Sequence, residues 1–492
     1  VVPGYYHRLN PETGAVETST CCQNTATEHN MMEKLMIDSV VTWTTAYKVD
    51  AYRFDLMGHH MKRNMVKLRE TLDALNQANS GVDGKNVYVY GEGWNFGEVA
   101  NNARGVNATQ ANMAGTGIGT FNDRLRDAVR GGGPFDSGEA LIRNQGFING
   151  LFYDPNALND GYAAERERLL LYGDQIRVGL TGNLRDYRFV DRTGATVTGA
   201  QVDYNGSPVG YTLDPQESIT YVEAHDNQTL YDNNVYKAPR NSTMAERVRM
   251  QNLGTSIVSM AQGVSFFHAG QDMLRSKSLD RDSYDSGDWF NRLDFSYNTN
   301  NFGVGLPPAW ANEENWANEE NLLIMRQLLA DPNLKAQRPD ILRAVEHMRE
   351  MMRVRASSPL FHLPTAADVQ QRLSFLNEGP NQVPGMIVMR LDDTVGANLD
   401  KRHAQIVVLF NATDEAQTFG ADAFKGVNMS LHPELAGSSD PVVRTSSYNA
   451  ATGTFDIPPR TTAVFVVYEG SAPPPRGPNS IFLPQMVFNK EQ

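Results

Sequence analysis

The sequence predicts an α/β chain built on a parallel sheet, followed by an all-β domain and a proline-rich tail. Three observations carry this expectation. Through the first part of the chain, short apolar runs alternate with helical stripes, the rhythm of parallel sheets and barrels. After about residue 365 the apolar, strand-length runs follow one another with no helical stripe between them. Three acidic residues, Asp55, Glu92 and Asp226, each come straight after an apolar run.

Residues 1–26 are loop-like, rich in Thr, Asn and Gly. A helix is predicted from Thr27, with Met32, Leu35, Met36, Ser39, Val40 and Trp43 at helical spacing. A strand then runs through Val49 to Tyr52-Arg53-Phe54-Asp55. A second helix over 63–78 carries Met65, Leu68, Leu72 and Leu75 on one stripe, and Gly81, Asp83 and Gly84 make a turn. Val87–Tyr90 is a buried strand that opens into Gly91-Glu92-Gly93-Trp94. Further strands are predicted over Gly117–Phe121, Ile219–Glu223 and Val264–His268, with a mostly helical excursion over 138–200 and a helix over Ala245–Met260. Residues 270–310 form a long polar and aromatic loop, the length at which loops usually bind something. A basic helix covers 338–356. Gly385–Leu391, Gln405–Phe410 and Thr462–Tyr468 then read as strands of a separate β-sandwich. The expected organisation is an α/β part over 1–362, a β-sandwich over 363–470 and a loosely attached tail over 471–492. The α/β part offers strands near 49, 87, 118, 219 and 264; a closed eight-stranded barrel would need more, before residue 1.

With 492 residues, 40% of them hydrophobic, core size is not limiting. A net charge of −13 argues against nucleic acid as the main partner, because phosphate binding needs a basic face. No apolar run reaches the length needed to span a membrane. The 21 Phe and 19 Tyr suit sugar binding, although many secreted enzymes share that composition. The two cysteines are adjacent, Cys21-Cys22. They can form a strained vicinal disulfide, stay as thiols or pair with another chain; the vicinal disulfide is the favoured reading and implies an oxidising compartment. Val1-Val2-Pro3-Gly4 begins as if in mid-loop without Met, so the lack of a signal peptide says nothing of location.

The three acids suggest chemistry. In a parallel barrel the C-terminal strand ends meet on one face, so Asp55, Glu92 and Asp226 can converge there. Convergent carboxylates are the equipment of glycoside hydrolysis: a nucleophile, an acid/base and often a third that holds the substrate. Arg53 and Asp55 share one face of the strand, and a neighbouring guanidinium keeps a carboxylate ionised. Glu92, between glycines and near Trp94, is placed for a raised pKa and a general-acid role. His225 and Asp226 can hydrogen-bond sugar hydroxyls, and His60 and Trp94 can contact or stack on a sugar. Each taken alone also fits a structural role. A metal site is the competing chemistry, but His59, His60, His225, Asp55 and Asp226 come without HxH or HExxH spacing, so no catalytic metal is expected. The loop from Arg275 to Asn291, with Asp280, Asp282, Asp285 and Asp288, can line a cleft, bind a structural Ca²⁺ ion through oxygens, or satisfy itself as Asx turns.

Tyr52-Arg53-Phe54-Asp55-Leu56-Met57-Gly58-His59-His60, Gly91-Glu92-Gly93-Trp94-Asn95 and Tyr221-Val222-Glu223-Ala224-His225-Asp226-Asn227 resemble three short signature regions of the α-amylase superfamily. They look most like its pullulanase and limit-dextrinase branch, as do 1–22, 115–133 and 276–292. The resemblance implies a (β/α)8 barrel, represented here by about its last five strands, and then a β-sandwich. It implies retaining hydrolysis of α-1,6-glucosidic branch links in pullulan and branched α-glucans. A monomer with no catalytic cofactor is expected; a secreted or bacterial cell-envelope setting fits the cysteines, and a plastid would fit a plant-like relative. Asp55 matches the nucleophile, Glu92 the acid/base and Asp226 the transition-state stabiliser; Arg53, His60, Trp94, His225 and Asp282 match substrate contacts. Ala51-Tyr52 replaces the usual Gly-Phe before the Arg, and His59 stands where bacterial members often have an aromatic, as in plant-type enzymes. The family's first signature region is expected upstream of Val1. Two alternatives follow: an inactive barrel fragment with at most glucan binding, or a mixed α-1,4/α-1,6 specificity.

Overall fold

A left-handed Lys48 (φ 60°) closes the first long helix, α1 (Asn30–Tyr47), and turns the chain into strand β1 (Ala51–Phe54). The computed structural model describes residues 2–20, 22–310 and 318–470. The tail expected over 471–492 and Cys21, hence the vicinal disulfide, lie outside the described residues.

Helix α2 (Lys62–Asp73) follows β1 and leads to β2 (Tyr88–Gly91). Strands β3 (Gly119–Phe121), β4 (Ser218–Thr220) and β5 (Val264–Ser265) complete a five-stranded sheet in the order β1-β2-β3-β4-β5. Every pairing in it is parallel, with Phe54 opposite Gly91, Gly91 opposite Thr120, Phe121 opposite Ile219 and Thr220 opposite Ser265. All strands therefore finish at one edge. The apolar stripes of α1 and α2 cover β1 and β2, burying Met36, Ile37, Val40, Met65, Leu68 and Leu72 with Met57 and Val89. Each such side chain contributes roughly 1.5–3 kcal/mol when fully buried.

The strands are shorter than the apolar runs suggest. The run expected as a strand over Ile219–Glu223 leaves the sheet after Thr220, because its neighbour β5 is only two residues long and offers no further ladder partner. The first helix begins at Asn30 rather than Thr27, and its N-cap, His29, makes no side-chain capping bond. The excursion over 138–200 is less helical than expected: one long helix, α4 (Tyr162–Leu180), follows α3 (Asp123–Arg130), and an antiparallel hairpin pairs Arg188–Val190 with Thr196–Thr198. Helices α5 (Leu230–Lys237), α6 (Met244–Met260) and α7 (Arg338–Ala356) complete the helical layer.

Beyond residue 370 the chain is β-rich. Strands β6 (Leu373–Phe375), β7 (Met386–Asp392), β8 (His403–Asn411), β10 (Ser430–Leu431) and β13 (Thr461–Tyr468) form an antiparallel sheet in the order β6-β7-β8-β13-β10. Strands β9 (Gln417–Gly420), β11 (Ser447–Asn449) and β12 (Thr454–Ile457) form a second sheet, β9-β12-β11. Alternate residues of the larger sheet go to different cores, as the two-residue period of a strand requires. Met386, Val388, Val407, Leu409 and Phe465 meet Phe419, Phe455 and Ile457 of the small sheet. Ile387, Met389, Leu391, Ile406, Val408 and Phe410 instead pack with residues of α4, α6 and α7. Arg460 bridges to Glu246 at 3.2 Å and to Asp154, and Arg249 to Asp440 at 2.8 Å, across the same boundary.

Candidate active site

The ends of β1 and β2 and the loops that follow them approach so closely that only glycine fits between them. A Cβ on Gly58 would lie 2.0 Å from the Trp94 carbonyl oxygen, and one on Gly91 would lie 2.5 Å from that of Phe54. The Gly58 N–H donates to the Glu92 carbonyl at 2.8 Å. This approach sets Asp55 and Glu92 beside each other. Arg53 Nη1 lies 2.5 Å from Asp55 Oδ1, and its Nη2 lies 3.1 Å from Glu92 Oε2. The Leu56 backbone N–H donates to the same Glu92 oxygen at 2.8 Å. Leu56 itself is left-handed (φ 43°), a strained conformation of the kind that collects at functional sites.

The two carboxyl groups differ in exposure. Asp55 is open to solvent, with 69% of its side chain accessible, whereas only 9% of Glu92's is. Burial pushes the Glu92 carboxyl above its ordinary range; Arg53 and the Leu56 N–H pull it back, and Asp226 and Asp55 add to the rise. Asp226 and Asp55 thus each lie within electrostatic reach of Glu92. Asp226 is exposed, with His225 Nε2 3.4 Å from its Oδ1. It does not follow its strand directly, as expected, but stands on a turn separated from β4 by 221–225. Asn227, next in the chain, is left-handed (φ 62°).

Trp94 is half-buried and packs on an aromatic cluster with Tyr90, Phe121 and Tyr221 at the ends of β2 to β4. His60 meets Phe54 edge to face at 5.7 Å. Burial pushes His60 down to about 4, so the ring is neutral at pH 7. Asp282 stands on the long loop, with Arg281 3.6 Å away, and Arg281 Nε donates at 3.4 Å to Asn227 Oδ1. The loop thus reaches the Asp226 turn. Among the described residues no group of three or more His, Cys, Asp or Glu side chains is arranged to hold a metal ion, and no helix is long and apolar enough to cross a membrane.

Sequence reasoning missed a buried clamp beneath these loops. Arg8, 2% exposed, binds Glu28 at 2.7 Å, Glu98 at 3.0 Å and the His59 carbonyl oxygen at 2.8 Å. Asn24 Nδ2 donates to Glu98 at 2.8 Å, and Ser19 Oγ donates to its other oxygen. One guanidinium therefore ties the N-terminal segment to the loop of His59-His60 and the loop beyond Trp94. Burial opposes the charged form of Glu98, yet the hydrogen bonds from Ser19, Asn24 and Arg8 outweigh it and hold the carboxyl down at about 2. Nothing in the local pattern around Arg8 signals this, because its partners lie 20 and 90 residues away. Arg8→Met is expected to destabilise the fold by about 2–4 kcal/mol, read as a lower urea midpoint, because half-buried Glu28 and Glu98 lose their shared buried cation. Glu98's folded pKa is depressed, so its share of stability is present above about pH 4 and is lost as pH falls toward 2.

A buried carboxyl and an exposed one, joined by a guanidinium at the C-terminal edge of a parallel sheet, define a carboxylate-pair site of the kind glycoside hydrolysis uses. Comparison with known proteins makes the class specific. Residues 297–467 match the family model for pullulanase-type α-1,6-glucosidases, C-terminal. The chain is 46% identical over 473 residues to the chloroplastic pullulanase 1 of Arabidopsis thaliana, an alignment covering 95% of this chain and 48% of that protein. It is 41% identical over 474 residues to the pullulanase of Klebsiella pneumoniae, covering 96% of this chain and 41% of the relative. The maltotriose complex of PulA from Klebsiella pneumoniae superposes with a TM-score of 0.87 at 40% identity, covering 96% of this chain and 48% of that one. The chain is thus similar over nearly its whole length to pullulanases, carries the pullulanase-type C-terminal region over 297–467, and spans less than half the length of the curated relatives it matches.

Proposed function

We propose that this chain carries the catalytic carboxyl groups of a retaining glycoside hydrolase that cuts α-1,6-glucosidic branch links in pullulan and branched α-glucans. The five parallel strands are read as the later part of a (β/α)8 barrel within 1–362, and 363–470 as a β-sandwich. The observation that carries the reading is the asymmetric pair: Glu92 buried with a raised pKa, Asp55 exposed, one guanidinium between them.

The proposed chemistry uses side chains alone. Asp55 attacks the anomeric carbon of the branch glucosyl unit as the bond to the C6 oxygen breaks, and Glu92 gives its proton to that leaving oxygen. The product is a glycosyl ester on Asp55. Water then attacks the same carbon, Glu92 takes the water's proton, and the ester bond breaks, so configuration is retained. Asp226 and His225 hold ring hydroxyls as positive charge develops on the sugar. Arg53 stays beside both working carboxyls. Neutral His60, Trp94 and Asp282 are the remaining proposed contacts. Maltotriose bound to a similar structure is consistent with an α-glucan substrate.

The test is reducing-sugar release from pullulan, with amylose as the counter-substrate. It is run on this chain and on a version extended to the full length of its curated relatives. Pullulan cleavage with amylose spared supports the reading. Amylose cleavage without pullulan cleavage overturns the bond assignment, and cleavage of neither by either protein leaves glucan binding as the function.

A further inference from the structure

We infer that Lys277 is a positioning residue that locks the turn carrying Asp226 to the loop carrying Asp282; its consequence for catalysis rests on the debranching reading, but its geometry does not. The Lys277 side chain is fully buried. Its Nζ donates to the His225 carbonyl oxygen at 2.8 Å and, at 3.4 Å, to that of Arg281. One ammonium group thus spans the residue before Asp226 and the residue before Asp282. Arg281 closes the same junction through Asn227.

The root of this lysine is fixed as firmly as its tip. The Lys277 backbone N–H donates to Asp232 Oδ2 at 2.8 Å, and Ser276 Oγ donates to Asp232 Oδ1 at 2.5 Å. Asp232 is in the first turn of α5, whose N-cap Thr229 accepts its N–H at 3.1 Å. Helix α5 therefore anchors the lysine, and the lysine reaches forward to the turn. Strain collects on both sides of it: Asn227 (φ 62°), Ser278 (φ 53°) and Leu279 (φ 68°) are left-handed without being glycine. Such residues persist only where their surroundings hold them.

A cation is a costly way to fill this space. Burial pushes Lys277 down to about 8, against the pull of Asp280, Asp232 and Asp226 and with Arg275 adding repulsion, so it stays charged at pH 7. A methionine of similar length would fill the volume without that cost. What methionine lacks is the donor to the two carbonyl oxygens.

Lys277→Met tests this beside Lys237→Met. Lys237 is also buried, but it donates to the Gly131 carbonyl and lies 3.7 Å from Asp136. Hydrogen–deuterium exchange at residues 223–230 is expected to rise at least about tenfold in Lys277→Met and to stay level in Lys237→Met. In an active preparation, kcat on pullulan falls about 10²-fold with KM within about threefold, the pattern of a misplaced group that acts in the transition state. In an Asp226→Asn background the same substitution costs no more than about threefold, because Lys277 acts through Asp226. Unchanged exchange at 223–230 overturns the inference, as does full additivity with Asp226→Asn. Where Lys277→Met raises exchange throughout the chain, Lys277→Arg decides: protection restored at 223–230 supports the inference, and global exchange again reduces Lys277 to a core-filling residue. A wild-type protein that leaves pullulan intact defeats the debranching reading while the exchange comparison still judges Lys277.

Discussion

Asp55→Asn is expected to lower kcat on pullulan on the order of 10⁵-fold or more and to leave the fold unchanged. In the proposed mechanism the amide cannot attack the anomeric carbon, so no covalent intermediate forms. The fold survives because Asp55 is solvent-exposed and its ion pair is to Arg53, a contact worth little at an exposed position. The check pairs kinetics with mass spectrometry. An activated fluoro-sugar donor should leave a stable adduct on the peptide containing Asp55 in the wild-type protein and none in the variant. An adduct on another carboxylate, or residual activity within about tenfold of wild type, would move the nucleophile elsewhere.

Glu92→Gln is expected to cost about 10²–10⁴-fold on pullulan, whose sugar leaving group needs a proton. The loss should shrink on an aryl maltotrioside, because a phenol of low pKa leaves without protonation. The pH profile supplies the sign. In the proposed mechanism Glu92 must be protonated for the first step, and burial raises its pKa. The working form is thus present at low pH and is lost as pH rises through the raised pKa, so the alkaline limb lies above the ordinary glutamate value of about 4.3. In Glu92→Gln that limb disappears. An unchanged alkaline limb in the variant would assign the proton to another group.

The three acids were legible as candidates because each follows a short apolar run, and the parallel order of β1 to β5 brings separate strand ends to one edge. Gly58 and Gly91 were visible as motif letters, but their reason, the near contact of backbones at the ends of β1 and β2 and in the loops beyond, appears only in three dimensions. Arg8 and Lys277 were not legible as supports for the site. Each binds partners far along the chain, and a long-range ion pair or carbonyl contact leaves no period in the sequence. The weak strands were missed for a different reason. Gln417–Gly420 and Thr454–Ile457 mix polar residues and glycine with few apolar ones, and they are held in place by Phe419, Phe455 and Ile457 meeting the larger sheet. Tertiary packing decided what local propensity left open.

The double burial of the C-terminal sheet makes the chain hard to divide. A break near residue 362 looks like a natural seam in sequence, where helices give way to strands. In the folded molecule it would bare the row of Ile387, Met389, Leu391, Ile406, Val408 and Phe410, which is finished by α4, α6 and α7 rather than by any strand of its own. Conversely, the helices would lose the floor they rest on. The β-rich end is therefore built less as a detachable module than as the inner wall of the helical layer, and a single melting transition is expected for the two parts.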